Sequence, residues 1–158
     1  GDVYKRQPFT LTLVGSDHGG YTEQMQALAA RLHLEDKVQF LGSRTDVPQL
    51  LQAADLFVHP ATCQEGFGIT LIEAMASGVP CLAFPKGAIP EIIGPEIDGF
   101  LTEEVSAAAL TAGINRALEL FTKAPHHWHT LCKNARQKAE LFSIERTVAQ
   151  LEALYQEQ

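Results

Sequence analysis

A run of six residues without a charged or polar side chain, VPCLAF at 79–84, is the strongest constraint on how this chain can fold. A strand exposed on one face alternates apolar and polar residues, whereas a continuous apolar run is typical of a sheet covered on both faces. Other strand-like segments lie before and after it, and segments with helical spacing separate them. Strands that alternate with helices form parallel βαβ units. We therefore predict an α/β fold with a doubly wound parallel sheet.

The predicted strands are short, and most end at a glycine or proline; they cover residues 9–14, 38–41, 55–59, 79–84 and 100–101. Apolar residues at helical spacing predict helices over 21–32, 47–54 and 69–78, and a short one after Pro90. From about residue 105 the pattern is helical throughout, which predicts additional C-terminal helices. Their apolar stripes are Leu110, Ile114, Ala117, Leu118 and Phe121; Trp128, Leu131, Cys132, Ala135 and Ala139; and Ile144, Val148, Leu151 and Tyr155.

Four loops, at 15–20, 42–45, 60–68 and 85–90, each follow a predicted strand. Ligands of doubly wound sheets bind beyond the carboxyl ends of the strands. Because parallel strands present these ends at one edge, we expect the four loops to meet there and to hold the functional site.

The third of these loops carries the most informative motif, EGFGITLIE at 65–73. Gly66 and Gly68 allow the backbone to turn sharply and to approach a ligand closely. The apolar spacing that follows starts a helix, whose first amides have no partner within the helix. Together with the helix dipole they form an anion site. These amides belong to Ile69, Thr70 and Leu71.

Two carboxylates flank this predicted anion site. Glu73 lies about one turn into the helix, where it can turn sideways and accept hydrogen bonds from a pair of hydroxyls such as those of a ribose. Glu65 lies before the turn, on the other side, where it could meet the hydroxyls of a sugar. The motif therefore favours binding of a nucleotide-sugar without a metal ion.

Composition narrows the function classes. The 158 residues fit one domain by length, and the net charge of −7 argues against a nucleic-acid-binding surface. No apolar run approaches the length of a membrane helix, and no signal peptide is visible. The three cysteines are odd in number and widely spaced, which fits reduced thiols in a cytoplasmic protein.

The first residues need a separate interpretation. The segment DVYKRQ at 2–7 resembles a translated sequencing adapter, a contaminant of assembled environmental DNA. Residues 1–7 are therefore expected to be a non-native or disordered tail, and the chain to be the C-terminal piece of a longer protein that was cut just before Pro8. An ordinary polar tail is the alternative, and both predict a disordered N-terminus.

A family resemblance rests on six segments in a fixed order, and it extends over nearly all of residues 9–158. The segments are VQFLG at 38–42, AADLFV at 53–58, EGFG at 65–68, EAMASGVP at 73–80, PEII at 90–93 and DGF at 98–100. Together they resemble the Rossmann-like, donor-binding C-terminal domain of family 4 glycosyltransferases of the GT-B fold. A lone pair of glutamates at this spacing would not be specific, whereas the combination is.

The resemblance implies roles for individual residues. Glu73 matches the glutamate that holds the donor ribose, and Glu65 matches the one that contacts the transferred sugar and stabilises positive charge near its anomeric carbon. The turn and helix start of the motif match the backbone that cradles the diphosphate. The loop that begins with Gly15 and Ser16 matches a segment that faces the cleft between domains. The loop at 42–44 falls where such proteins contact the base. The donor-binding residues implied in this way are Gly15, Ser16, Gly42, Ser43, Arg44, Phe67, Gly68, Ile69 and Thr70.

The resemblance also implies an activity and partners. Such enzymes transfer a sugar from a nucleoside diphosphate, most often UDP, to a glycan, a lipid or a small molecule, with retention of anomeric configuration. They require no metal bound by an Asp-x-Asp motif, which this chain lacks. Residues 8–142 would be the nucleotide-sugar-binding domain, and the helix at 143–158 would brace a missing N-terminal domain that binds the acceptor. The protein is expected in the cytoplasm or, through that missing half, at the inner face of the membrane.

Departures from the family pattern keep alternatives open. Lys86-Gly87-Ala88 stands where Gly-Gly is common, and the basic residues expected just upstream of the first strand are absent. The chain alone is therefore expected to bind a donor without turning it over. A non-catalytic nucleotide-binding module and another GT-B enzyme, such as a sugar-nucleotide epimerase, are the alternative functions.

Several other side chains have competing interpretations. His59 precedes Pro60 and is expected to end a strand near the ligand edge. Arg44 and Lys86 are the basic residues of the four loops, each either a surface charge or a phosphate or sugar contact. The group His126, His127, His129 and Cys132 favours the exposed start of a helix over a metal site, because it lacks a second ligand pair.

Overall fold

The computed structural model describes residues 9–17 and 19–156. They belong to two compact units, Gly1–Val47 and Pro48–Gln158. The segment at 1–7, interpreted above as a non-native or disordered tail, lies outside the described residues. The proposed domain bounds at 8–142 and 143–158 stay predictions.

The first unit is a βαβ unit. Strands β1 (Leu11–Val14) and β2 (Val38–Gly42) lie parallel, with Leu11 opposite Val38. Parallel neighbours require a crossover connection, which helix α1 (Tyr21–Arg31) supplies. The strand–helix–strand order predicted for this region is therefore confirmed.

The second unit contains a parallel sheet of three strands in the order β3 (Phe57–His59), β4 (Cys81–Ala83) and β5 (Gly99–Leu101). Helix α3 (Ile69–Ala76) connects β3 to β4, and the single-turn helix α4 (Ile89–Ile92) connects β4 to β5. Helix α2 (Val47–Gln52) spans the boundary between the two units.

The apolar run at 79–84 forms the buried centre of this sheet. Strand β4 lies between its two neighbours, and Cys81, Leu82 and Ala83 have no exposed surface. The prediction of a strand covered on both faces is confirmed. Helix α3 ends at Ala76 with Ser77 as its C-cap, and Gly78 takes the predicted position after the cap. Its φ of +79° is the left-handed conformation that glycine adopts most readily after a helix.

Three C-terminal helices follow the sheet: α5 (Ala107–Lys123), α6 (Pro125–Ala139) and α7 (Ile144–Gln156). A short 3₁₀ helix, Glu140–Phe142, separates the last two. Helix α5 begins at an N-cap, where the Ser106 hydroxyl accepts a hydrogen bond from the Ala109 amide at 3.0 Å.

A hydrophobic cluster joins α5 and α6 to the sheet. Trp128 contacts two other aromatic rings: it stacks on Phe100 of β5 and forms an edge-to-face pair with Phe121 of α5. The buried members of the cluster are Leu82, Phe100, Ala117, Leu120, Trp128 and Leu131.

The three predicted apolar stripes differ in what they contact. The stripe on α6 is buried as predicted, apart from the half-buried Cys132. On α5 Ala117 is buried, and Leu110 and Ile114 pack against the cluster as predicted. The prediction was wrong at one position, because the structure buries Leu120 and leaves Phe121 40% exposed. No residue of α7 is buried, and its stripe stays exposed among the described residues.

Within the described residues, every helix is either too short or too polar to span a lipid bilayer.

Asp98, just before β5, is a buried carboxylate whose surroundings disfavour its charged form. Its residue surface is only 5% exposed, and its Oδ1 accepts a hydrogen bond from the Gly94 amide at 2.7 Å. Burial raises the pKa of Asp98, although the Gly94 amide acts in the opposite direction. Because the folded-state pKa lies above the unfolded value, this group favours folding at low pH, and that contribution is lost as pH rises through the folded pKa.

We therefore expect Asp98→Asn, which keeps an oxygen for the Gly94 amide, to gain stability relative to the wild type as pH rises from about 3.5 to 7. Urea unfolding of both proteins across this range measures the difference in the free energy of unfolding. Asp55→Asn, the same substitution at an exposed aspartate, is the control. A constant difference between wild type and Asp98→Asn would contradict the effect of burial.

Candidate functional site

The predicted site motif folds into a tight turn that ends at Gly68, directly before α3. Gly68 has a φ of +75°, and it is buried although the residues on either side of it are exposed. A Cβ at this position would lie 2.9 Å from Cδ1 of Ile92 and 3.1 Å from Cδ1 of Leu71. The backbone conformation therefore favours glycine here, and a Cβ would also force the ends of the buried Ile92 and Leu71 side chains to shift.

Glu65 caps this turn with its carboxylate. Its Oε1 accepts a hydrogen bond from the Gly68 amide at 3.1 Å and a longer one from the Phe67 amide at 3.5 Å. These amides hold the pKa of Glu65 below its usual range, and His59 adds a smaller effect in the same direction. Glu65 is therefore ionised at neutral pH, with 28% of its side chain exposed.

Two amides at the start of α3 stay available. Among the described residues, the amides of Ile69 and Thr70 form no hydrogen bond with the protein, whereas the Leu71 amide donates to the Gly68 carbonyl at 3.0 Å. The sequence-based expectation of a third free amide at Leu71 was therefore wrong, because the first turn of the helix closes on Gly68. The two free amides and the helix dipole make this end of α3 suited to an anion.

Glu73 lies on the exposed face of α3, between the buried Leu71 and Ala74. Within the described part of the chain its carboxylate has no hydrogen bond or ion pair, and its carbonyl accepts from the Ser77 hydroxyl at 3.0 Å. The carboxylate is therefore free to accept hydrogen bonds from hydroxyl groups of a ligand.

The loop after β4 clamps the backbone of Glu65. The Ala88 amide donates to the Glu65 carbonyl at 3.0 Å, and Gly87 passes so close that a Cβ there would lie 2.7 Å from the Glu65 nitrogen and collide with its carbonyl oxygen. The loops at 60–68 and 85–90 therefore meet at the carboxyl ends of β3 and β4, as predicted. The sequence patterns indicate no role for Gly87 beyond its place in a loop that follows a buried strand.

His59 is the other contribution that the sequence alone undervalued. It ends β3, and its Nε2 lies 3.5 Å from Oε2 of Glu65. Glu65 is thus contacted by three elements: the end of β3, the start of α3 and the loop after β4.

Phe67, which the resemblance assigns to the donor site, is 53% exposed beside the free amides. Its ring forms an edge-to-face pair with that of Phe142, with 6.1 Å between the two ring centroids. Ile69 and Thr70 are also exposed at the start of α3. The exposed rim of the turn is therefore partly apolar, which suits contact with the flat face of a base or a sugar ring.

The remaining predicted residues belong to the first unit. Gly15, directly after β1, lies beside Gly42, the last residue of β2, and the Gly15 amide donates to the Gly42 carbonyl at 2.9 Å. Both have positive φ, and Ser16 and Ser43 follow them on the exposed surface.

The guanidinium of Arg44 forms a two-point pair with Asp46 at 2.7 and 2.6 Å, so a ligand would have to compete with that carboxylate. That these residues share one site with Glu65 stays a prediction.

The histidines near the start of α6 do not form a metal centre with their neighbours. The described residues contain no cluster of three or more His, Cys, Asp or Glu side chains arranged to hold a metal ion. His126, His127 and His129 are exposed, in agreement with the preferred interpretation as a helix start.

Comparison with known proteins gives the family. The sequence profile described as glycosyl transferases group 1 matches residues 2–138, a range that includes the whole segment at 2–7 interpreted as an adapter. Among curated proteins, the chain is 36% identical over 129 residues to N-acetyl-alpha-D-glucosaminyl L-malate synthase of Bacillus anthracis. That match includes 81% of this chain and 32% of the relative, so the chain spans about a third of that protein's length.

Solved structures agree on the fold. A glycosyltransferase from Rickettsia africae superposes with a TM-score of 0.86 at 26% identity, over 98% of this chain and 41% of its own. Anabaena Alr3699/HepE in complex with UDP has a TM-score of 0.76 at 32% identity, over 96% and 43% of the two chains. The same protein was also solved with UDP-glucose.

These matches confirm the predicted Rossmann-like α/β fold of a GT-B C-terminal domain, with additional C-terminal helices. The order of motifs from residue 38 to residue 100, and not any one pair of glutamates, made the resemblance specific. The chain belongs to the glycosyl transferases group 1 family.

Proposed function

We propose that this chain is the donor-binding half of a retaining glycosyltransferase that transfers a sugar from a nucleoside diphosphate sugar, with UDP as the nucleotide. The observation that carries the proposal is the ionised Glu65 held beside the free amides of Ile69 and Thr70. The UDP and UDP-glucose complexes of Alr3699/HepE, at 32% and 31% identity, support the choice of nucleotide.

The amides at the start of α3 would receive the diphosphate. In transfer, negative charge builds on the leaving diphosphate, and preorganised amides stabilise it without having to reorient. They donate hydrogen bonds directly, so we propose that binding requires no metal ion. Glu73, with its free carboxylate, would accept hydrogen bonds from the two ribose hydroxyls.

Glu65 would contact the transferred sugar. As the bond to the leaving group breaks, the anomeric carbon becomes cation-like, and a carboxylate that stays ionised stabilises such charge. The low pKa of Glu65, caused by the Gly68 and Phe67 amides, keeps it in the required form. Glu65 orients the sugar in this scheme and does not attack it.

The rest of the enzyme would bind the acceptor substrate. We propose a separate N-terminal domain that binds a glycan, a lipid or a small molecule, and that closes over the donor to exclude water. Helix α7, with its exposed apolar stripe, is the proposed brace for that domain. We place the intact protein in the cytoplasm, with any membrane association through that domain.

The donor site can be tested by titration calorimetry of this chain with UDP, GDP and ADP. We expect binding of UDP at micromolar to millimolar strength, unchanged by EDTA. Glu73→Ala should weaken it by about 100-fold or more, because two hydrogen bonds to a charged group are lost, each worth about 1.5–3 kcal/mol. Glu152→Ala, at an exposed glutamate of α7, is the control and should bind as the wild type does.

Each part of the proposal has its own contrary result. Unchanged UDP affinity in Glu73→Ala would contradict the assignment of Glu73 to the ribose. Loss of UDP binding in EDTA would contradict the proposal that binding requires no metal ion. If GDP or ADP bound more tightly than UDP, the proposed nucleotide would be wrong. With the intact protein and an acceptor, the anomeric configuration of the product decides between retention and inversion.

A further inference from the structure

His59 is held in place independently of Glu65. As the last residue of β3 it stands opposite Ala83 of β4, and its ring stacks on that of Phe57 with 6.3 Å between centroids. Only 17% of its side chain is exposed. The sheet and the stacking therefore fix where the imidazole points.

The Nε2 atom of His59 lacks a partner that its position calls for. It is buried, and among the described residues no atom forms a hydrogen bond with it. Buried polar nitrogens in folded proteins almost always have a hydrogen-bond partner. The acceptor available is Oε2 of Glu65 at 3.5 Å, and an approach of about half an ångström would give an ordinary N–H···O hydrogen bond.

The two oxygens of Glu65 are thus addressed from two directions. Oε1 accepts from the Gly68 and Phe67 amides at the start of α3, whereas Oε2 faces the end of β3. A carboxylate held at Oε1 alone can still rotate about its terminal bond. A second donor at Oε2 fixes its plane.

We infer that His59 is a positioning residue: its Nε2–H donates to Oε2 of Glu65 and holds the carboxylate in the orientation that receives the sugar. The inference rests on the proposed role of Glu65 at the sugar of the donor. His59 itself touches neither the nucleotide nor the sugar in this scheme. It therefore affects the contribution of the sugar to binding, and leaves the contribution of the nucleotide unchanged.

The first test needs no ligand. Long-range ¹H–¹⁵N spectra of the imidazoles show which ring nitrogen carries the proton, and we expect His59 to carry it on Nε2 at pH 7. Its signal should move in Glu65→Gln, while the signal of the exposed His129 stays in place. A His59 ring protonated on Nδ1 alone, or one unaffected by Glu65→Gln, would overturn the inference whatever the chain binds.

The second test compares UDP with UDP-glucose by calorimetry. His59→Phe keeps a ring to stack on Phe57 but removes the donor, and we expect UDP-glucose affinity to fall about five- to tenfold, the usual value of one hydrogen bond. UDP affinity should stay within about twofold of the wild type. His59→Gln, which restores an N–H near the Nε2 position, should recover most of the loss, and His129→Gln should have no effect.

The two proposals fail in different ways. Equal losses of UDP and UDP-glucose affinity in His59→Phe would mean that His59 is merely structural, and no loss of either would mean that it does not position Glu65. A wild-type chain that bound neither ligand would instead count against the proposed function. The imidazole spectra would then still decide whether His59 donates to Glu65.

Discussion

Replacement of Gly87 by alanine is expected to destabilise the second unit by about 2–4 kcal/mol, because two unfavourable effects combine. The φ of Gly87 is +56°, a conformation that residues with a side chain rarely adopt. The new methyl group would also meet the Glu65 backbone, with 2.7 Å to its nitrogen. Backbone atoms lie on both sides of this contact, so no side-chain rotation can relieve it.

The same substitution should displace the site. Since the Ala88 amide holds the Glu65 carbonyl at 3.0 Å, moving the loop after β4 would release the residue proposed to contact the sugar. We expect affinity for UDP-glucose to fall at least about tenfold, equivalent to loss of one charge-assisted hydrogen bond. Urea unfolding and calorimetry on the same samples separate the loss of stability from the loss of binding.

Gly66→Ala is the matched control. It changes a glycine in the neighbouring loop, where a Cβ would meet no atom within 4 Å. Its stability should therefore stay within about 0.5 kcal/mol of the wild type. Wild-type stability in Gly87→Ala would show that the clamp on Glu65 is not as close as the structure has it.

Replacement of Trp128 by alanine should have a still larger effect on folding. Trp128 is 6% exposed and joins α6 to β5 and α5 through Phe100 and Phe121. Removing such a side chain costs about 3–5 kcal/mol, a large part of the 5–15 kcal/mol that stabilises a typical domain. Trp128→Phe keeps an aromatic ring and should lose clearly less.

The measurement has to avoid tryptophan fluorescence, because Trp128 is the single tryptophan of the chain. Far-UV circular dichroism during urea unfolding follows the helices in all variants. Phe121→Ala, at a 40% exposed ring that contacts Trp128, should cost less than Trp128→Ala. Equal losses in these two variants would show that burial of Trp128 does not dominate the cluster.

Local sequence patterns predicted the elements well. The apolar run at 79–84, the helical spacing after Gly68 and the glycine at 78 each report a conformation set by neighbours along the chain. A glycine that ends a helix with φ of +79° needs only its own backbone to be interpretable. The strands, helices and glycine-rich turn could therefore be derived from the order of residues alone.

Contacts between distant segments could not be derived in this way. Periodicity predicted that Phe121 belongs to the apolar stripe on α5, whereas the structure buries its neighbour Leu120. Adjacent positions differ by only about 100° around a helix, so the spacing alone does not separate the two residues at the edge of the stripe. The burial of Asp98 has no signal in the periodicity either, because an aspartate is usually exposed.

The α/β order, the buried central strand, the turn at Gly68 and the pair of carboxylates around a helix start all follow from the order of residues. The surroundings of Glu65 arise on folding: the Gly87–Ala88 clamp on its backbone and the imidazole of His59 opposite Oε2. The physical reason is that turns and helices form from interactions between near neighbours. The clamp and the imidazole reach Glu65 only once parallel pairing has brought the carboxyl ends of β3 and β4 to one edge.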